Sequence, residues 1–188
     1  MSNTDIRSLY FIAIVFDGDL GKGITELKQH FADKYGSIAA LKSPPHVTLL
    51  MPFKKSVKHE DALHQALQNM ANGISPFELK LSGFGHFGQR VIFINVESNE
   101  TFINLHSDVH SVARSELKIF DKAGKVPRPF HPHCTVAFRD LSRSNFDKAW
   151  SEFSDRSFEA LTEISFLSLL KHNGKMWQVL NNFKMGGK

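Results

Sequence analysis

The chain has 188 residues, 41% hydrophobic and 22% charged, with 17 Phe. That is ample apolar volume for a packed core and excludes wholesale disorder. Lys plus Arg exceed Asp plus Glu by 23 − 19 = 4, a mild bias towards anionic partners that falls short of a dedicated nucleic-acid-binding face. One cysteine, Cys134, excludes an internal disulfide framework and thiolate-rich zinc sites, and fits a reducing compartment.

In chain order, residues 9–16 are apolar and rich in β-branched and aromatic side chains, and predict a buried strand ending at Asp17-Gly18-Asp19. This run has neither the basic leader nor the cleavage site of a signal peptide. No stretch approaches the roughly 18 apolar residues of a membrane span, so a soluble cytoplasmic protein is expected. Residues 20–35 place Leu20, Ile24, Leu27, Phe31 and Tyr35 at helical spacing, and Gly36 stops the helix. Ser43-Pro44-Pro45 is a stiff loop. A strand over 46–53, closed by Pro52, precedes a helix over 58–72. Residues 77–84 and 91–96 predict strands joined by a hairpin over 85–90.

The order then recurs. A helix over 100–118 leads into a basic, Pro-containing loop over 122–129 and a strand over 133–138. A helix over 142–154, with Ser142 or Ser144 as N-cap, is followed by strands over 158–170 and 176–183 around Asn173-Gly174. Phe11-Ile12-Ala13-Ile14 matches Phe93-Ile94-Asn95-Val96, and His46-Val47-Thr48-Leu49 matches His133-Cys134-Thr135-Val136. The pattern predicts one α/β or α+β domain over 1–188 made of two similar lobes, divided near residue 90.

The two His-x-Thr triplets carry the chemistry. Ten His and six Thr in this chain give roughly 0.3 such triplets by chance, and each one here follows a proline and leads an apolar strand. On a strand, residues i and i+2 share a face. His46 with Thr48, and His133 with Thr135, therefore point one way, while Val47 and Cys134 point into the core. Across a cleft, one imidazole can remove a proton while the other donates one. The hydroxyls can hydrogen-bond non-bridging phosphate oxygens.

The segments HVTLLMPF (46–53) and HPHCTVAF (131–138) resemble the paired motifs of the 2H phosphoesterase superfamily, within it the 2′-5′ RNA ligases or RNA 2′,3′-cyclic phosphodiesterases. The resemblance implies an α+β, bilobal, pseudo-two-fold fold, with curved antiparallel sheets and outer helices around a central cleft. It implies an enzyme without metal or cofactor that opens a 2′,3′-cyclic phosphate on an RNA end or nucleotide, usually to a 2′-phosphate. His46 would act as acid and His133 as base, with Thr48 and Thr135 binding substrate. Arg139, which follows the second motif after Phe138, is a candidate phosphate contact. Arg128 in the basic loop, His131 at the cleft rim, and Phe84 or Phe87 as stacking rings are further candidates. Two rival readings remain: a nucleotide- or RNA-end-binding module using the same cleft, and a metal-dependent hydrolase built on His46, His131 and His133.

Overall fold

The computed structural model describes residues 5–119 and 129–186. In chain order the elements are β1 (Arg7–Val15), α1 (Gly18–Tyr35), β2 (His46–Ser56), α2 (Glu60–Asn72), β3 (Phe77–Phe87), β4 (Val91–Val96), α3 (Glu100–Ser115), β5 (His133–Ala137), α4 (Arg143–Phe153), β6 (Glu159–Ile164), β7 (Phe166–His172) and β8 (Trp177–Lys184). The expected helix ends are present. Gly36 closes α1 in the left-handed region at φ 70°, and the Ser142 hydroxyl caps α4 by accepting from the Asn145 amide. No helix among the described residues is long and apolar enough to cross a membrane.

All eight strands join one antiparallel sheet, in the order β6-β3-β4-β5-β2-β1-β7-β8. The two His-x-Thr strands, β2 and β5, lie side by side at its centre and meet at Val47 and Cys134. From there the order mirrors outward, β5-β4-β3-β6 one way and β2-β1-β7-β8 the other. The fold is thus α+β, with a curled half-barrel sheet. The curl is forced by connectivity. In a flat sheet β6 and β7 would lie six strand spacings apart, roughly 29 Å, yet only Ser165 separates them in the chain.

Three expectations need correction. The strand over 158–170 is two strands, with β6 pairing with β3 and β7 with β1. The lobes do not divide near residue 90: β3 sits in the half of β4 and β5, and β7 and β8 return to the half of β1 and β2. Pro52 does not close β2, because it falls at a shift in the β1–β2 register, between the pairs Ile12–Leu50 and Tyr10–Phe53. There its missing N–H breaks no regular ladder bond.

One face of the sheet is covered. Tyr10, Ile12 and Ile14 of β1 join Ile24 and Phe31 of α1, Leu63 and Leu67 of α2, Phe102 and Leu105 of α3, and Phe146 and Phe153 of α4 in one core. The other face keeps a small cluster, Phe11, Ala13 and Leu170, with Val15 and Trp177 against it. That second face carries the candidate site.

Candidate active site

His46 and His133 open β2 and β5 with the same local geometry. The Nδ1 of His46 lies 2.7 Å from the Pro44 carbonyl oxygen, and the Nδ1 of His133 lies 2.7 Å from that of His131. In each case the intervening residue is a proline, Pro45 or Pro132, which holds the preceding residue extended and removes a competing N–H. A carbonyl can only accept, so Nδ1 carries the proton in each neutral ring and Nε2 keeps its lone pair. Each histidine also rests on a ring from the neighbouring strand. Phe11 of β1 lies 4.9 Å from the His46 ring, and Phe93 of β4 lies 4.9 Å from the His133 ring. These two phenylalanines occupy matching places in the sequence repeat.

The Val47–Cys134 pair sets the register. Continued by one residue, it puts His46 across from Thr135 and Thr48 across from His133. The two imidazoles then stand diagonally, at about 7–8 Å between backbones, a gap suited to one phosphoryl group. Both histidines and both threonines are half-buried, whereas Val47 and Cys134 are buried in the core. Burial pushes the Cys134 thiol up to about 11, Lys28 and a backbone hydrogen bond acting against it, so its low-thiolate setting suits packing.

Burial also disfavours charge on the imidazoles. It lowers His46 to about 4; the Pro44 carbonyl acts against the shift, and Lys28 and His133 add to it. His133 is lowered as well, first by burial and then by His131, with the His131 carbonyl opposing. Both rings are therefore neutral at pH 7 in the free protein. An anion between them would favour protonation of the pair.

Lys28 was not singled out by the sequence reading. It is 1% exposed, and its Nζ donates to the Ser43 carbonyl at 3.1 Å, beneath the loop that presents Pro44 and His46. The signal was present in the pattern. The buried stripe of α1 runs Gly21, Ile24, Lys28, Phe31, Tyr35, with steps of three and four, and places a lysine on the apolar face. Asp140 is a second such residue. Its carboxylate accepts from the Ser37 hydroxyl at 3.0 Å and from the Ile38 and Ala39 amides at 3.0 and 2.8 Å. The chain after β5 is thereby tied to the chain before β2. Arg139, at φ 63°, makes the turn from β5 into this contact.

The remaining candidates separate. His131 is exposed at the rim, its ring 5.4 Å from Phe87 and 5.6 Å from Phe93. Phe84 is a correction: it is 9% exposed and packs in the core against Phe153 and Phe158. Leu79 and Leu81 face the core, and strict alternation would send Phe84 outward. A register shift between Leu81 and Phe84, with Gly83 at φ 62°, inverts the alternation. Phe87 is the ring left at the site, 42% exposed and 4.9 Å from His133. Arg128 and the basic loop around it lie outside the described residues. Among the described residues, no three His, Cys, Asp or Glu side chains converge as metal ligands.

Residues 16–176 match the family model of the 2′-5′ RNA ligase superfamily. A protein of Geobacillus kaustophilus, provisionally named a phosphoesterase, is 30% identical over 171 residues, covering 89% of this chain and 92% of its own. A crystal structure of a Thermus thermophilus protein superposes with a TM-score of 0.67 at 20% identity, over 96% of this chain and 99% of the other. Escherichia coli LigT complexed with 3′-AMP gives a TM-score of 0.67 at 21% identity, with the same coverage.

Proposed function

Because the chain belongs to the 2′-5′ RNA ligase superfamily, we propose that it is a cyclic phosphodiesterase, opening the 2′,3′-cyclic phosphate of an RNA end or nucleotide by two-histidine acid–base catalysis. The observation that carries this reading is the duplicated imidazole. Each Nδ1 is held by a backbone carbonyl, each Nε2 is left available, and a threonine follows two residues on. The nucleotide bound to the similarly folded Escherichia coli LigT supports a nucleotide-bearing substrate.

The cyclic phosphate sits between His46 and His133, and its negative charge draws one proton onto the pair. The neutral imidazole removes a proton from water as the water oxygen attacks phosphorus. The protonated imidazole gives its proton to the departing 3′-oxygen, leaving a 2′-phosphate. Thr48 and Thr135 donate to the non-bridging oxygens as charge gathers there. When turnover ends the proton has changed rings, and exchange with solvent restores the starting state. A 5′-hydroxyl in place of water, attacking phosphorus by the same steps with the 3′-oxygen leaving, makes a 2′-5′ bond. In about 55 M water, mass action favours hydrolysis.

The test is initial rates on a 2′,3′-cyclic nucleotide, followed by phosphorus NMR. His46→Ala and His133→Ala should each lower kcat by about 10²–10⁴. The double variant should lose less than the product of the two, because the residues act as a unit. His131→Ala should cost far less. Wild type that binds the nucleotide without turning it over would establish a binding module. Activity lost on chelation and restored by zinc or manganese would establish a metal-dependent hydrolase.

A further inference from the structure

His46 and His133 are each delivered by three residues, Ser43-Pro44-Pro45 and Phe130-His131-Pro132, and two of the three anchors repeat. The Pro45 carbonyl accepts from the Phe16 amide at 2.9 Å and the Pro132 carbonyl from the Val96 amide at 3.3 Å. The Pro44 and His131 carbonyls accept from the two imidazoles. The third anchor differs. Phe130 stacks its ring on His106 of α3, with centroids 3.8 Å apart and planes 15° from parallel, and lies 5.5 Å from the Phe102 ring. Ser43 has no side chain that could pack in this way. Its carbonyl instead accepts from Lys28 Nζ at 3.1 Å. Helices α1 and α3 thus each reach the residue three places before a histidine, one with an ammonium and the other with a ring.

Stability does not account for Lys28. It is 1% exposed, and among the described residues the Ser43 carbonyl is its one hydrogen-bond partner and no carboxylate pairs with it. Burial holds its ammonium below the usual lysine range, with Cys134 of β5 acting against the shift. A buried charge with a single neutral acceptor gives up more hydration than the bond returns. A methionine or leucine at this point of the buried stripe of α1 would pack without that loss. What the ammonium supplies is a donor. Pro44 and Pro45 have no N–H, so the segment presents carbonyls in a row, and each is held by a donor from elsewhere: Lys28, His46 and Phe16. The two prolines also fix φ at both positions and restrict ψ at Ser43 and Pro44. Holding the Ser43 carbonyl therefore sets the direction in which the Pro44 carbonyl and the His46 ring follow it.

We propose that Lys28 is a positioning residue for His46: by holding the Ser43 carbonyl it locks the diproline and keeps the imidazole aimed into the cleft. Lys28 belongs to the buried face of α1, which packs against β5 on the core side of the sheet, and from there it does not touch substrate. Its effect on rate rests on the cyclic phosphodiesterase reading above; its effect on the ring does not. A group that only aims a reacting imidazole acts on kcat and leaves KM nearly alone.

The experiment uses Lys28→Met, which keeps an apolar stem and removes the donor. On a 2′,3′-cyclic nucleotide its kcat should fall about tenfold, with KM within about twofold of wild type, as for a slightly misplaced reacting group. Its thermal midpoint should be no lower than that of wild type, since a buried charge has gone. A second readout needs no turnover. Proton–nitrogen NMR follows the exchange of both imidazole Nδ1 protons with water, above the pH at which either ring is charged. In Lys28→Met the His46 proton should exchange about tenfold faster, because its contact with the Pro44 carbonyl opens more often. The His133 proton, held by its own segment, should keep the wild-type rate. A kcat within about twofold of wild type, a kcat loss accompanied by a lower thermal midpoint, or an exchange rate that changes for both protons or for neither overturns the positioning role while leaving the phosphodiesterase reading intact. If wild type turns over no cyclic phosphate, the phosphodiesterase reading fails and the exchange rates alone decide. Faster exchange confined to His46 then upholds the tether, and any other pattern removes it.

Discussion

Gly85→Ala tests whether the ring behind His133 positions it. Gly85 lies on β3 opposite Phe93 of β4. A Cβ at this position would stand 2.5 Å from Phe93 Cε2, 2.8 Å from Phe93 Cζ and 2.9 Å from Asn95 Oδ1. Carbon atoms come to rest at about 3.5–4.0 Å, so the ring must retreat by about 1 Å. Phe93 is buried and has Phe87 at 4.4 Å and His133 at 4.9 Å. Its retreat therefore moves His133 or costs packing. Overpacking of this kind costs about 1–3 kcal/mol, and displacing a reacting group by 1 Å lowers rate by up to about 10². The expected result is kcat down by about 10- to 100-fold in a protein that still folds, with a lower thermal midpoint. Initial rates on a 2′,3′-cyclic nucleotide and a melting curve read both. In a Phe93→Leu background the added Cβ meets no ring edge and only the Asn95 Oδ1 contact at 2.9 Å remains, so the cost of Gly85→Ala should fall. A folded Gly85→Ala protein with kcat within twofold of wild type would refute the positioning argument, as would an equal cost in both backgrounds.

The pH profile follows from the lowered imidazoles. kcat/KM requires one proton on the free pair, whose constants run from about 4 for His46 to below the ordinary 6.5 for His133; they belong to the pair jointly. The bell in kcat/KM should therefore peak below pH 6.5, and that in kcat should lie higher, since bound phosphate favours protonation; a kcat/KM still rising through pH 9 would contradict this. The same lowering means the unfolded chain binds more protons, so this contribution to stability is present above about pH 6.5 and lost as pH falls towards 4, which denaturant melts at several pH values would show. Lys28→Met removes a positive neighbour, so the His46 titration midpoint read by NMR should rise; an unchanged or lower midpoint would mean Lys28 does not act on His46. Cys134→Ala should lower stability by about 1 kcal/mol and leave turnover within a few-fold, and a loss above 100-fold in folded protein would contradict its core placement.

Local periodicity is written in the chain, and it was enough to single out the candidate residues and the faces they occupy. A strand repeats every two residues, so His46 and Thr48, or His133 and Thr135, had to share a face whatever the fold did, and Val47 and Cys134 had to turn inward. The proline before each histidine fixed the entry to each strand in the same way. The match of Phe11 with Phe93 was likewise visible, although its meaning, a ring under each imidazole, was not. Other features depend on groups brought together from distant positions. The curl of the sheet sends β7 and β8 back to β1, because closure of a twisted sheet is a property of all eight strands and of no single segment. A register shift decides that Phe84 is core and Phe87 is cleft, which a period-two reading inverts. Lys28 reaches Ser43 and the underside of His46 only when α1 packs against the central strands. Arg90, Arg139 and Arg143 come to line one concavity only when the β3–β4 hairpin meets the start of α4. Facing is a short-range consequence of backbone geometry, whereas proximity between distant residues is set by how the whole sheet closes.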